Sequence, residues 1–310
     1  MIRAIRMIRA SHPAALLPRR LVPAVITVLA LGIHAAANSR AQPSAPAPVT
    51  LTDEQTQAMV KRVLHTELEA AANAASTHPM QYRLRKVSPR LSTTKIIAET
   101  KDGDVARLVA VNDAPLSPVD QQNEDTRLES LLKDPGLQRH RKEREQGDSD
   151  RARKIINALP DAFLYQFAGI VETPQGPSYR LSFQPNPNFN PQDLEAQVLK
   201  AMAGELWIDV ADQRVTRLEG KRLRDVEYGW SILGKLDKGG TLRLEQANVG
   251  NHQWRTTHMV LAMNARVLFK PIKLDTTLEL SQFTPLAPGM NYQQAIQMLR
   301  TNPSTTSQAR

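Results

Sequence analysis

Apolar and polar residues alternate along much of the chain, and this pattern predicts a protein built mainly from β-strands. Between Gly204 and Phe283 the alternation is almost uninterrupted, as in Leu206, Ile208 and Val210. Successive side chains of a strand point to opposite faces, so a repeat of two places the apolar residues on one face of a sheet. We expect about ten antiparallel strands in total, the earlier ones at residues 81–87, 92–100, 105–111, 162–172 and 178–183.

A helix is predicted ahead of the strands, over residues 53–76. Thr52 and Gln55 have the spacing of a capping box, in which each side chain bonds the other residue's backbone amide. Val60, Leu64 and Leu68 recur at helical spacing and form one apolar stripe. The helix therefore has a face that covers an apolar partner, and a lid over a ligand site is one role it can have.

A second helical region is predicted to interrupt the strands between about residues 118 and 159. Leu128 and Leu131 have helical spacing up to Pro135, and the segment that follows is dense in charges of both signs. We interpret this run of charges as the solvent-facing side of a helix. The segment becomes apolar again near Ile156.

The order of these elements predicts an α+β protein with a barrel-like antiparallel sheet and helices over one open side. We expect a single domain over residues 51–285, with the helical insertion at about 118–159 inside it. Residues 42–50 are rich in Pro, Ala and Ser and predict a disordered linker. Residues 286–310 are expected to form a short helix, near 291–299, and a flexible tail.

Residues 1–41 have the features of a cleavable export signal. An arginine-rich start is followed by an apolar run that falls short of the roughly 20 residues of a membrane-spanning helix. Ser39 and Ala41 supply small residues at the −3 and −1 positions of a cleavage site. We predict cleavage after Ala41, a periplasmic or secreted protein and no stable membrane span afterwards. Met7 is an alternative start.

Charge and cysteine content exclude several classes of protein. The net charge of +9 suggests a nucleic-acid partner, but six of the 40 basic residues and none of the 31 acidic ones lie in residues 1–41. The remaining 34 basic residues nearly balance the acids, so we exclude nucleic acid as a partner. The chain has no cysteine, which rules out both a lipid-anchored lipoprotein and disulfide bonds.

Motifs for catalysis or metal binding are not found. The segment from Gly229 to Lys235 matches the first seven positions of a phosphate-binding loop, but Leu236 stands where Ser or Thr must hold magnesium. His252 and His258 are six residues apart and lack a third ligand. We expect no enzyme activity, no metal and no cofactor.

Tryptophans in the strands allow two interpretations. Trp207 and Trp254 either pack in the core or line an apolar cavity. The predicted ligand-contacting residues, in the cavity or its lid, are Val60, Leu64, Leu68, Trp207 and Trp254.

Two groups of segments carry a family resemblance. Gly204–Asp209, with its Leu-Trp-Ile-Asp sequence, and Val215–Gly220, with Val-x-Arg-Leu-Glu, resemble a hairpin of outer-membrane lipoprotein-sorting (LolA/LppX-like) proteins. The segments 234–240 and 265–270 and Phe283 are similar to a group of uncharacterised bacterial envelope proteins. The resemblance covers about residues 160–285. It implies an antiparallel, unclosed half-barrel whose concave face is covered by helices and shelters acyl chains or lipid.

Two functions are consistent with these features. The first is a non-enzymatic periplasmic carrier or sensor that binds a lipid or a lipoprotein acyl chain in an apolar half-barrel. The alternative is a structural or interaction protein of the cell envelope, with a solidly packed barrel and an envelope protein as its partner. An apolar hollow of several hundred Å³ favours the first.

Overall fold

The computed structural model describes residues 50–228, 234–267 and 270–301. The predicted export signal, nearly all of the linker and the tail after residue 301 lie outside these residues. So do Gly229–Leu233 of the segment that resembles a phosphate-binding loop. Gly234–Leu236, the rest of that segment, is a short strand of the sheet.

Four helices and one short helical turn lie in the described part of the chain. The capping box is confirmed: Thr52 N donates to Gln55 Oε1 over 2.9 Å, and Gln55 N donates to Thr52 Oγ1 over 3.2 Å. Two consecutive helices, Pro118–Lys133 and Pro135–Ala162, form the predicted interruption of the strands. The helices are α1 (Asp53–Thr77), α2 (Pro118–Lys133), α3 (Pro135–Ala162), the single turn α4 (Leu194–Gln197) with a 3-10 turn (Val198–Ala201), and α5 (Tyr292–Thr301).

Thirteen strands are found in the described residues, where the sequence predicts about ten. Three of them, β4, β9 and β10, have only two or three residues, too few to show an alternating pattern. The strands are β1 (Met80–Val87), β2 (Ser92–Ala98), β3 (Val105–Val111), β4 (Ala114–Pro115), β5 (Phe163–Thr173), β6 (Gly176–Pro185), β7 (Met202–Asp209), β8 (Val215–Arg222), β9 (Val226–Tyr228), β10 (Gly234–Leu236), β11 (Thr241–Asn248), β12 (Trp254–Val267) and β13 (Lys270–Pro285).

All strands join one open antiparallel sheet, which confirms the predicted α+β fold with an unclosed half-barrel. The order is β4-β3-β2-β1-β13-β12-β11-β8-β7-β6-β5, with β9 and β10 attached beside β12. The first and last strands of this order are not paired with each other in the described residues. The pairing of β1 with β13 brings the early strands next to the end of the domain.

The inner face of the sheet is defined by the side on which α1 and α3 lie. Val60 and Leu64 of α1 and Ile156 of α3 pack there against residues of β5 to β8 in one buried cluster. The stripe of α1 that the sequence predicts to cover an apolar partner is therefore buried. The buried cluster anchors both α1 and α3 to the concave side of the sheet.

The outer face is covered at one end by α2 and α5. Ile96 and Ala98, which alternate with the inner residue Ile97, pack against Leu128 of α2 and Ile296 of α5. At the edge of β3, two side chains of α2 satisfy backbone groups that lack a neighbouring strand. Leu108 N donates to Glu124 Oε1 over 2.7 Å, and Arg127 Nη2 donates to Ala106 O over 2.6 Å. Capping of this kind protects an exposed edge from unwanted strand pairing.

Candidate functional site

The inner face is filled at one end of the sheet. Over β5 to β8, α1 and the carboxyl-terminal half of α3 leave only a small apolar cavity of about 60 Å³, lined by Leu64, Ile156 and Leu206 among others. That volume holds no acyl chain, since ligand pockets measure about 300–1,000 Å³. The side chains of the protein itself occupy this end of the half-barrel.

The other end of the inner face is open. A cavity of about 1010 Å³ lies between β1–β3 and the amino-terminal half of α3, at the top of the size range of ligand pockets. We call it the roofed cavity, with the strands as its floor and α3 as its roof. It is lined by Leu84, Lys86, Thr93, Lys95, Ile97, Asp104, Ala106, His140, Arg141, Glu143, Arg144, Glu145, Gly147, Asp148 and Arg151.

The roof is tied to the turn between β2 and β3. Gln138 Nε2 donates to Asp102 O over 2.8 Å, and Arg141 Nη2 donates to Asp104 O over 3.1 Å. In return, Asp104 N donates to Glu145 Oε2 over 3.1 Å. Farther along α3, Ile156 lies in the core. The helix is thus held at both ends and spans the cavity between them.

The floor of the roofed cavity departs from the apolar pattern of the inner face. One row of directly paired residues runs through eight strands from β5 to β1, and seven of these eight residues are apolar. The eighth, at β1, is Lys86, which is only 7% exposed. The row reads Phe167, Leu181, Leu206, Leu218, Leu244, Met259, Leu278 and Lys86.

A second lysine of the floor lies diagonally across from the first. Lys95 of β2 is paired with Leu84, and Lys86 is paired with Thr93, so both lysines share the inner face two positions apart. Diagonal neighbours of this kind are roughly 7–8 Å apart at their backbones. Ile97 and Ala106, one row farther, are also paired. The floor therefore changes from apolar to basic along the strands.

Both lysines are destabilised in their charged form. Burial, followed by the charge of Lys95, lowers the pKa of Lys86 to about 8. Burial also lowers the pKa of Lys95, and the charge of Arg127 adds to this more than the carboxylate of Glu124 offsets it. Loss of hydration on burial is the largest cause of both shifts.

Four acidic residues line the roofed cavity, namely Asp104, Glu143, Glu145 and Asp148. Asp148 forms an ion pair with Arg151. Glu143 lies 3.2 Å from His140, and Glu145 accepts the Asp104 amide. Among the described strand residues that line the floor, none is acidic.

Replacing Lys86 by methionine is expected to raise the free energy of unfolding by about 1–2 kcal/mol at pH 7. This value is smaller than the lowered pKa of Lys86 alone would give, because the cavity admits solvent that screens the charge. The folded pKa of about 8 lies below the ordinary value of 10.5, so the unfolded chain binds more protons between these values. Wild-type stability therefore rises over that range relative to Lys86→Met. Urea unfolding of both proteins from pH 7 to pH 10.5 measures this difference. An unchanged difference across the range would contradict it.

The five ligand-contacting residues predicted from the sequence lie in three places. Val60 and Leu64 are in the buried core, with Leu68 packed against it. Trp207 alternates with the inner residues of β7 and so faces outward, where the Arg217 guanidinium lies 4.7 Å from its ring centre. Trp254 is buried and lines a separate cavity of about 50 Å³ whose walls are partly apolar and partly polar. The lining of the roofed cavity includes none of the five.

Lys86 and Lys95 were not among the residues singled out from the sequence. A signal for Lys86 is present: Met80, Tyr82, Leu84 and Lys86 form the alternating set of β1, and a lysine closes an otherwise apolar face. No pattern in the sequence indicated that the charged half of α3 would lie above these lysines. Only the pairing of β1 and β2 with each other and the path of α3 bring its charges to this place.

The histidines and acids do not form a metal site. In the described residues no group of three or more His, Asp or Glu side chains is close enough to hold a metal ion. His252 Nδ1 lies 2.9 Å from Asp212 Oδ1, and His258 Nδ1 lies 3.6 Å from Glu245 Oε2. Of the helices that the structure describes, none is both long and apolar enough to cross a membrane.

Comparisons with known proteins give likeness of fold only. No protein-family model and no curated protein matches the chain. Three solved structures resemble it. An outer membrane lipoprotein-sorting protein domain from Vibrio parahaemolyticus is 11% identical, with a TM-score of 0.31, over 75% of this chain and 95% of that one. A DUF1329 family protein from Desulfovibrio piger is 9% identical, with a TM-score of 0.24, over 73% and 92%. MucB in complex with MucA(peri) is 11% identical, with a TM-score of 0.19, over 72% and 99%. These low scores leave function to be argued from the residues of this chain.

Proposed function

We propose that this protein is a non-enzymatic carrier or sensor of the bacterial periplasm that binds a lipid-like molecule in the roofed cavity. The observation that carries the proposal is the cavity itself, about 1010 Å³ between α3 and β1–β3. Its floor offers apolar surface at Leu84, Ile97 and Ala106, which suits a hydrocarbon chain. The export signal predicted for residues 1–41 supports the location.

The position of the cavity also supports α3 as the element that encloses the ligand. The sequence suggested α1 as a lid, but α1 is fixed to the sheet by its buried apolar stripe and by the ion pair of Glu67 with Arg214. The amino-terminal half of α3 has a different character. It crosses the cavity with charged residues and Gly147 and is tied down by hydrogen bonds to the β2–β3 turn. Such contacts break at lower cost than a packed core.

The experiment is uptake of a fluorescent dansylated fatty acid by protein that has been unfolded, freed of lipid and refolded. No atom lies within 4 Å of a Cβ added at Gly147, so Gly147→Trp adds a large ring at the cavity lining without a clash at its Cβ. We expect the wild type to bind the probe and Gly147→Trp to lose at least tenfold in affinity. Far-UV circular dichroism verifies that the variant is folded.

The control is Asn157→Trp, a tryptophan at an exposed position of the same helix outside the cavity lining. Probe binding by this variant should equal that of the wild type. Absence of binding to refolded wild type, or equal binding by Gly147→Trp, would refute the carrier proposal. The interaction-protein alternative would then be the better one.

A further inference from the structure

The floor of the roofed cavity has an apolar end and a basic end, and this polarity goes beyond a general affinity for lipids. Ile97 and Ala106 form the apolar end as a directly paired couple. Leu84 and Lys95 form the next row, and Lys86 and Thr93 the one after it. A molecule lying along the strands thus meets hydrocarbon first and ammonium groups second.

Burial disfavours the charged form of both lysines at the basic end. Lys86 is a buried member of a row whose seven residues on the strands from β5 to β13 are all apolar, and burial lowers the pKa of both lysines. Their mutual repulsion adds to this cost, since the charge of Lys95 disfavours protonation of Lys86. A stability cost of this kind is typical of residues that serve a ligand.

The roof adds further cations above the lysines. Arg141 approaches Lys95 closely enough to act on its charge, and Arg144 lines the same cavity. The acids of the roof are bound by Arg151, His140 and the Asp104 amide, as described above. An anionic group above Lys86 and Lys95 therefore meets positive charge from both the floor and the roof, in a partly desolvated site where charged hydrogen bonds are strong.

We propose that the ligand is an amphiphile with an apolar chain and an anionic head, a carboxylate or a phosphate, and that Lys86 and Lys95 bind the head. This inference rests on the proposed function, since it names the class of ligand for the same cavity. The chain lies on Leu84, Ile97 and Ala106, and Thr93 offers its hydroxyl as a neutral donor beside the head. An acyl chain joined to a protein through a neutral ester or amide lacks such a head.

The test compares three ligands with the same chain and different heads: dodecanoate, dodecyl phosphate and uncharged monododecanoyl glycerol. Isothermal titration measures their affinities for the wild type and for Lys86→Met/Lys95→Met. We expect the wild type to prefer the two anions about tenfold or more over the neutral ligand. The double variant should lose this preference while its affinity for the neutral ligand is unchanged or higher. Inorganic phosphate and acetate alone distinguish a free anion from a lipid head.

The matched control is Arg83→Met, which removes a cation from the other face of the same strand and should leave the preference intact. Equal affinity of the wild type for anionic and neutral ligands would overturn the inference and leave the proposed function standing. Failure of all three amphiphiles to bind would overturn both. Binding of phosphate or acetate as tight as that of the amphiphiles would overturn the role of the chain. The variants Lys86→Arg and Lys95→Arg keep the charge and should keep the anion preference.

Discussion

Replacing Glu67 by alanine is expected to destabilise the protein by about 3–5 kcal/mol, because it leaves a buried cation without its partner. Glu67 lies on α1 with its side chain 3% exposed, and Arg214 at the start of β8 is 12% exposed. Arg214 Nε donates to Glu67 Oε1 over 2.8 Å, and Arg214 Nη2 donates to Oε2 over 3.2 Å. Val215 N and Gln246 Nε2 donate to the same carboxylate over 3.2 and 3.1 Å.

Thermal unfolding followed by circular dichroism measures this effect, with an expected fall in Tm of roughly 10 °C or more. Glu69→Ala is the control, since Glu69 lies on the same helix, 65% exposed, with only a solvated contact to His65. That variant should unfold as the wild type does. The double variant Glu67→Leu/Arg214→Met should be more stable than Glu67→Ala, because it removes both charges. A Glu67→Ala protein as stable as Glu69→Ala would contradict the role of the pair.

The ion pair of Glu67 with Arg214 is expected to stabilise the protein less in acid. Burial alone raises the pKa of Glu67, but the hydrogen bond and charge of Arg214, aided by Gln246, outweigh it and hold the pKa below its ordinary value of 4.5. The unfolded chain therefore takes up the proton first as the pH falls. The contribution of Glu67 is complete above about pH 4.5 and is lost as the pH falls through the folded pKa. Glu67→Gln should lack this acid-dependent component.

Replacing Gly204 by alanine is expected to destabilise the protein by about 3 kcal/mol, because a Cβ at this position collides with backbone. An added Cβ would lie 1.9 Å from Glu219 O and 3.0 Å from the Gly220 Cα on the neighbouring strand. Gly204 of β7 and Gly220 of β8 are directly paired, so the two strands approach closely where both side chains are absent. Backbone cannot move aside without breaking the pairing of β7 with β8.

Gly220→Ala is the matched control, made at the partner position of the same pair. A Cβ there would lie 2.5 Å from Met202 Cε, and the flexible methionine can turn away, while Phe183 Cζ at 3.9 Å is at ordinary contact distance. We expect a loss of about 1 kcal/mol for Gly220→Ala. Urea unfolding gives both values, and the prediction fails if Gly204→Ala is as stable as Gly220→Ala.

If the protein is instead an interaction protein of the cell envelope, we expect residues 118–159 to form its docking surface, and deleting that segment is not a suitable test. Leu128 and Leu131 of α2 and Ile156 of α3 are buried in two cores, so removing the segment would unfold the protein. Substitutions at its exposed positions are the appropriate test, and Val119, which is 69% exposed on α2, is a suitable first site. Val119→Glu should weaken binding to an envelope partner only if the alternative is correct.

Local patterns in the sequence determined most of the secondary structure. The capping box at Thr52 placed the start of α1, because its hydrogen bonds join residues three apart. Alternation placed β1 to β3 and the strands after Gly204, because the two faces of a sheet differ in their solvent exposure. The resemblance of the hairpin at 204–220 then gave the open half-barrel. The strand β4 was missed because two residues carry no period.

Only the tertiary structure decided which part of the inner face is filled and which is open. The apolar stripe of α1 looked suited to a ligand, but it packs against β5 to β8 and closes that end. Lys86 and Lys95 are nine residues apart, and neither marks a site by itself. They share a cavity because β1 pairs with β2 in a register that places both on the inner face, and because α3, held by the β2–β3 turn, passes above them. The passage of α3 over this hairpin depends on the packing of the whole chain, which local sequence patterns do not encode.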